Sequence, residues 1–223
     1  MCGRFSLSTD LTTLKEKFQF IFADEMQPRY NIAPGQTILT VVQEEANRVG
    51  KPMRWGLVPF WAKDHKIGYK MINARAETIH EKPSYRHSFQ RKRCLILADG
   101  FYEWKKEGAQ KKPFRFQLKN REPFAFAGVW DRWSKGENTL FSCTIITTTP
   151  NDLTKDVHDR MPVILPEDAY DLWLNPDSTD TEYLKSLLLP YPSGEMESYA
   201  VSTLVNSPKN DHPAIIEPLK ETP

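Results

Sequence analysis

Phe114 to Thr147 reads FRFQLKNREPFAFAGVWDRWSKGENTLFSCTIIT. Within it, Phe114 to Leu118, Phe124 to Val129 and Phe141 to Thr147 are short runs rich in β-branched and aromatic residues, separated by charges and turn-formers. Such runs read as antiparallel strands. Working outward, Ile38 to Val42 and Cys94 to Ala98 repeat the pattern upstream, and Ser198 to Leu204 reads as a last strand. Helical signals lie elsewhere. Thr9 or Asp10 can cap a first helix whose Leu11, Leu14, Phe18 and Phe22 recur at helical spacing, and further helical patterns fall near Asn151 to Val157, Glu167 to Leu174 and Glu182 to Leu189. Strands and helices do not alternate as βαβ units require, so the expected class is α+β: a single compact domain over 1–223, mainly antiparallel sheet with peripheral helices. From about Ser207 the sequence is a polar, proline-containing tail.

The 223 residues, 39% of them apolar, suffice for a proper core. No apolar run approaches the roughly 18 to 20 residues that cross a bilayer, and MCGRFS lacks the features of a signal peptide. A cytoplasmic, membrane-free protein is expected. Cys2, Cys94 and Cys143 have no paired spacing, so no disulfide framework, metal site or cofactor is implied. No heptad repeat suggests assembly, and a monomer is expected. The net charge of +1 is unevenly spread. Lys82, Arg86, Arg91, Lys92, Arg93, Lys105, Lys106, Lys111, Lys112 and Arg115 make the middle basic, either an ordinary solvated surface or a face for a polyanion.

Cysteine at position 2 carries the most chemistry. Initiator methionine is normally trimmed when the next side chain is small, which leaves Cys2 with an α-amine and a thiol on neighbouring carbons. The amine has an ordinary pKa of roughly 7.7 to 8.0, so a useful fraction is neutral and can attack an aldehyde. The thiol can then close the imine into a thiazolidine, which hydrolyses far less readily.

Polar residues inside patterned apolar segments could serve that chemistry. Glu103, in ADGFYEW, lies among aromatics that raise a carboxyl pKa and suit it to take and return a proton. His158, in HDRMP, could protonate a sugar ring oxygen or a departing hydroxyl. Asn73, in NARAET beside Arg75, could hydrogen-bond the amine without changing charge. Taken singly, Asn73 also reads as a turn residue, Glu103 as a strand-end ion pair and His158 as a structural histidine. The loop NIAPGQ, Asn31 to Gln36, is shaped by Pro34 and Gly35 and can line a site. Trp55, Trp61 and Trp104 sit close to Arg54, Lys63 and Lys105, an interleaving that suits base stacking with phosphate contacts, whereas Trp130, Trp133 and Trp173 read as packing.

The ordered set MCGRF, NIAPGQ, RWGLVPFW, NARAET, ADGFYEW and HDRMP resembles the SOS-response-associated peptidase (SRAP) family over nearly the whole chain. The resemblance implies a DNA-damage protein with a basic channel for single-stranded DNA leading to the mature N-terminus. It makes Cys2 the residue that crosslinks to abasic sites, with Asn73, Glu103 and His158 around it. It makes Arg75 and Arg160 phosphate contacts, and Arg4, Pro34 and Trp104 further parts of the site. Two other functions stay open: a cysteine-type peptidase or self-processing activity using Cys2, and a noncovalent reader of single-stranded or modified DNA. Strand cleavage by β-elimination from an untrapped imine would be a secondary lyase activity.

Overall fold

The computed structural model describes residues 2–219. Among these residues, thirteen strands form two sheets. The smaller holds β1 (Phe5–Leu7), β2 (Arg29–Ile32), β7 (Gly100–Glu107), β8 (Gln110–Leu118) and β13 (Met196–Ala200) in the order β13-β8-β7-β1-β2, antiparallel throughout. The larger contains β3 (Thr37–Glu44), β4 (Asn47–Trp55), β5 (Asn73–Arg75), β6 (Arg93–Ala98), β9 (Phe124–Lys135), β10 (Asn138–Thr148), β11 (Met161–Pro162) and β12 (Ile164–Leu165). In it β10 pairs with β4, β4 with β3, β3 with β6, β6 with β9, and β9 returns to β10, so these five close on themselves as a small barrel. Closure removes free edges. All five strands expected from Ile38 to Thr147 are present, and the sheets are mainly antiparallel. The exceptions are the parallel pairings of β10 with β4 and β5.

Phe5 joins the sheets. Its ring meets Trp55 of β4 edge-on at 5.2 Å and Phe126 of β9 at 5.7 Å, in a core where all three are fully buried. Each such aromatic contributes on the order of 2 to 3 kcal/mol of burial. The strand carrying the N-terminus is therefore fixed by the core itself.

The helices are short and peripheral. Asp10 caps α1 (Leu11–Phe18) by accepting from the Thr13 N–H at 2.9 Å, and Leu14 and Phe18 face the core. The helix stops at Gln19, which is left-handed at φ 52°, so Phe22 lies beyond it. A helix at α2 (Arg86–Arg91) carries no apolar repeat that would announce it. Glu167 to Leu174 becomes a 3-10 turn followed by α3 (Tyr170–Leu174), and α4 (Thr181–Ser186) replaces the expected Glu182–Leu189 helix. Asn151 to Val157 is not helical. There the Asn151 side chain accepts from the Leu153 and Thr154 N–H groups at 3.0 and 2.9 Å, which favours turns over a continuing helix. The last strand also ends earlier than expected, at Ala200, and a 3-10 turn follows from Thr203 to Asn206.

The segment after Ser207 is docked rather than a loose tail through residue 219. Asp211 accepts from the N–H groups of Tyr30 and Asn31 at 2.6 and 3.1 Å and pairs with Arg29, while Ile215 is fully buried. Among the described residues, no helix is long and apolar enough to cross a membrane.

Candidate active site at the N-terminus

Cys2 precedes β1, which lies between β2 and β7 with Phe5 opposite both Ile32 and Phe101. Carried toward the N-terminus, these registers bring Gly3 between Pro34 and Glu103, and the Tyr102 N–H donates to the Arg4 carbonyl at 3.0 Å in keeping with them. Cys2 to Phe5 thus runs side by side with the segments NIAPGQ and ADGFYEW. Gly35 has φ +86°, the positive value the NIAPGQ turn needs, and its N–H donates to the Trp55 carbonyl. Pro34 is half-buried in that turn.

The remaining motifs meet on β10. Asn73 and Arg75 pair with Ile145 and Thr147, while Met161 and Pro162 pair with Thr148 and Thr147 from the other direction. The stretch between β10 and β11 carries His158, whose Nε2 stands 4.0 Å from the Glu103 carboxylate. The Glu103 charge acts on the Cys2 thiol and His158 stands beside the same carboxylate, which places the three in one neighbourhood. Asn73 is reached through the core: Phe5 contacts Trp55, whose indole N–H donates to the carbonyl of Ile72.

Burial sets the electrostatics. The Glu103 side chain is 3% exposed, and burial pushes its carboxyl from 4.5 up to about 8, with the negative charge of Asp159 adding to the effect. A proton is therefore held on this carboxyl at neutral pH. Burial, then the charge of Glu103, drives the Cys2 thiol well above its ordinary value. Burial also pulls the His158 imidazole below its usual value. The His158 Nδ1 lies 3.0 Å from both the Arg160 N–H and an Asp159 carboxylate oxygen. Nδ1 cannot both accept from the amide and donate to the carboxylate. The amide can only donate and Asp159 is 89% exposed to competing water, so the amide decides: the proton of the neutral ring sits on Nε2, facing Glu103.

Both amide atoms of Asn73 are buried without a hydrogen-bond partner among the described residues. Leaving such groups unsatisfied costs about 1 to 3 kcal/mol each, a cost that ligand or water can relieve. A cleft of about 360 Å³ is lined by Glu103, Trp104, Lys111, His158 and Asn206.

Other candidates divide. Arg75 and Trp61 are exposed. Trp104 is half-buried, its N–H bonded to Asn206 at 2.7 Å and the Arg4 guanidinium 5.7 Å over its ring. Arg4 itself donates to Asn31 at 2.9 Å and to the Val205 carbonyl, holding the C-terminal segment against β2. Trp55 corrects the sequence expectation: it is fully buried with its N–H satisfied, so it is a core residue and cannot stack on a base. Arg160 forms a two-pronged pair with Glu77 at 2.6 and 2.9 Å and donates to the Thr147 carbonyl at 2.6 Å, which occupies the guanidinium expected to bind phosphate. Arg93 and Arg115, counted with the basic middle, are buried and leave the surface charge to their neighbours. The sequence reading singled out neither Asn206 nor Tyr85, whose hydroxyl donates to the Asn73 carbonyl at 3.2 Å, and both lie outside the motifs; Glu77 lies within NARAET, but nothing local marks it as the partner of Arg160.

Profile comparison matches residues 1–208 to the family described as SOS response associated peptidase (SRAP). The chain belongs to this family. An SRAP relative from Bacillus subtilis, named abasic site processing protein YoqW, is 55% identical over 97% of this chain and 99% of its own length. The Gallus gallus abasic site processing protein HMCES is 32% identical, covering 99% of this chain and 78% of its own. The SRAP fold is also that of a solved protein from Bacteroides thetaiotaomicron, 29% identical with a TM-score of 0.88 over 98% of this chain and 100% of that one.

Proposed function

We propose that this SRAP protein processes abasic sites, capturing them in single-stranded DNA as a thiazolidine on Cys2 once Met1 is removed. The observation that carries the reading is the buried, proton-bearing Glu103 carboxyl, 4.0 Å from the His158 Nε2 and near enough for its charge to act on the Cys2 thiol. The names of the relatives agree with it.

The ring-opened sugar presents an aldehyde. The Cys2 amine adds to its carbon, the protonated Glu103 gives its proton to the oxygen and takes one from the nitrogen in exchange, and water leaves as the imine forms. The S–H then adds across C=N, sulfur to carbon and hydrogen to nitrogen, closing the ring. One water is the only by-product. His158, with its proton on Nε2, is placed to protonate the sugar ring oxygen during opening. Asn73 supplies an amide to the amine or the intermediate, Arg75 holds a phosphate, and Arg4, Pro34, Trp61 and Trp104 flank the strand. The protein is cytoplasmic in this reading and joins the nucleoid when bound to DNA.

A peptidase needs a thiolate, and the raised thiol pKa of Cys2 speaks against one in this environment. The test is intact mass and a denaturing gel after mixing the protein with a single-stranded oligonucleotide carrying one abasic site. A heat-stable adduct that lacks Met1, requires the lesion and is lost in Cys2→Ala or on blocking the amine is expected. No adduct from protein shown to begin at Cys2 would overturn the reading.

A further inference from the structure

Beyond Trp104 the β7–β8 hairpin leaves the body of the protein with Lys105 opposite Lys112 and Lys106 opposite Lys111. Like charges directly opposite across two strands repel, and among the described residues no carboxylate stands within ion-pair distance of these four ammonium groups. Glu107 at the hairpin end, opposite Gln110, is the nearest acid in the register. The fold therefore sustains a local concentration of positive charge that its own side chains do not neutralise. Alternation along the strands divides the lysines between two faces. Lys106 and Lys111 share the face of Trp104, and both are exposed. Lys105 and Lys112 project from the other, where the Lys112 ammonium lies 5.7 Å over the Phe114 ring.

Position gives this charge a use. Lys111 lines the same cleft as Glu103, Trp104 and His158, so the hairpin forms one wall of the site and continues outward from it. We propose that Lys106 and Lys111 hold the backbone phosphates of a single DNA strand on one side of the lesion, next to an indole on which a flanking base stacks. The inference rests on the DNA-binding reading above and adds to it the direction in which the strand leaves the site. Aromatic and ammonium groups in line along one face suit a single strand, whose bases and phosphates alternate in the same way.

The experiment measures reversible binding of an undamaged, fluorescently labelled single-stranded oligonucleotide by the full chain across a salt series. Lys106→Ala/Lys111→Ala should flatten the slope of log K against log salt by about 1.4, at about 0.7 per lost phosphate contact on a single strand. Lys105→Ala/Lys112→Ala, which removes the same charge from the other face, should leave the slope close to wild type. An unchanged slope in the first variant, or equal flattening in both, overturns the proposal. A parallel assay on abasic oligonucleotides shortened from one end or the other should show one direction in which wild-type crosslinking depends on flanking nucleotides and the Lys106→Ala/Lys111→Ala variant does not. Wild type that shows the expected slopes but forms no adduct upholds the hairpin assignment while sinking the covalent reading of Cys2.

Discussion

The His158 Nε2 stands 4.0 Å from the Glu103 carboxylate while its Nδ1 accepts the Arg160 N–H at 3.0 Å, so a backbone amide fixes which ring nitrogen meets the acid. Two groups with pKa values displaced in opposite directions by burial share one proton path. At neutral pH the acid holds its proton and the imidazole is neutral. The roles expected of them follow from this relationship, and so do the consequences of disturbing it.

His158→Ala should slow adduct formation by roughly 100-fold, the lower end of what a positioned acid or base contributes. Because burial lowers the imidazole pKa, the wild-type rate should gain from imidazole protonation only on the acid side of neutrality. That acidic feature should vanish from the pH–rate profile of the variant. A variant that is slower by a constant factor at every pH would assign His158 a structural role only.

Glu103 should destabilise the fold as pH rises. Its folded pKa of about 8 exceeds the ordinary 4.5, so between these values the native state holds a proton that the unfolded chain releases. Stability from this group is full below about pH 4.5 and is lost through about pH 8, on the order of a few kcal/mol in all. Glu103→Gln should therefore melt higher than wild type at pH 8, with the gap closing toward pH 5, while crosslinking falls. Melting curves that keep a constant separation across that range would contradict the assignment.

Arg160→Lys keeps the charge but cannot keep both contacts to Glu77 together with the bond to Thr147. Losing that fork from a side chain 14% exposed should cost about 1 to 2 kcal/mol, or a few degrees of melting temperature for a chain of this size. The backbone N–H of residue 160 is retained and still fixes His158, so crosslinking should stay near wild type; in Arg160→Ala, which removes the charge, the salt dependence of DNA binding should also stay as in wild type. A flattened salt slope would return Arg160 to the phosphate contacts.

Asp211→Ala removes three bonds that fasten the C-terminal segment to β2. Limited proteolysis should then cut near residues 207–212 much faster than in wild type. Since Asn206 holds the Trp104 indole, crosslinking should weaken as well. Unchanged proteolysis would mean that Ile215 and the Asn31 amide, which donates to the Ser207 and Asn210 carbonyls, anchor the segment without Asp211.

Local pattern announced some of these features and stayed silent on others. The five strands between Ile38 and Thr147 were legible because β-branched and aromatic residues cluster between turn-formers. The α1 cap was legible because Asp10 stands directly before a helical stripe. The α2 helix was not, having six residues and no side-chain cap. Trp55 and Trp61 look alike in sequence, yet the first is fully buried and the second is 50% exposed. Their difference arises from Phe5 and Ile72, which no spacing rule connects to them. Arg160 reads as an available cation until Glu77 is seen beside it.

By itself the sequence determined the five strands between Ile38 and Thr147, the first helix and the family, because these rest on side-chain type and order. It also placed an amine and a thiol on one residue. Tertiary structure alone decided that β10 closes the barrel and that residues 2, 103 and 158 meet. It decided too that Glu103 keeps its proton near neutrality. Propensity acts between neighbours along the chain, whereas burial and electrostatic coupling depend on distances that exist only after distant segments have packed.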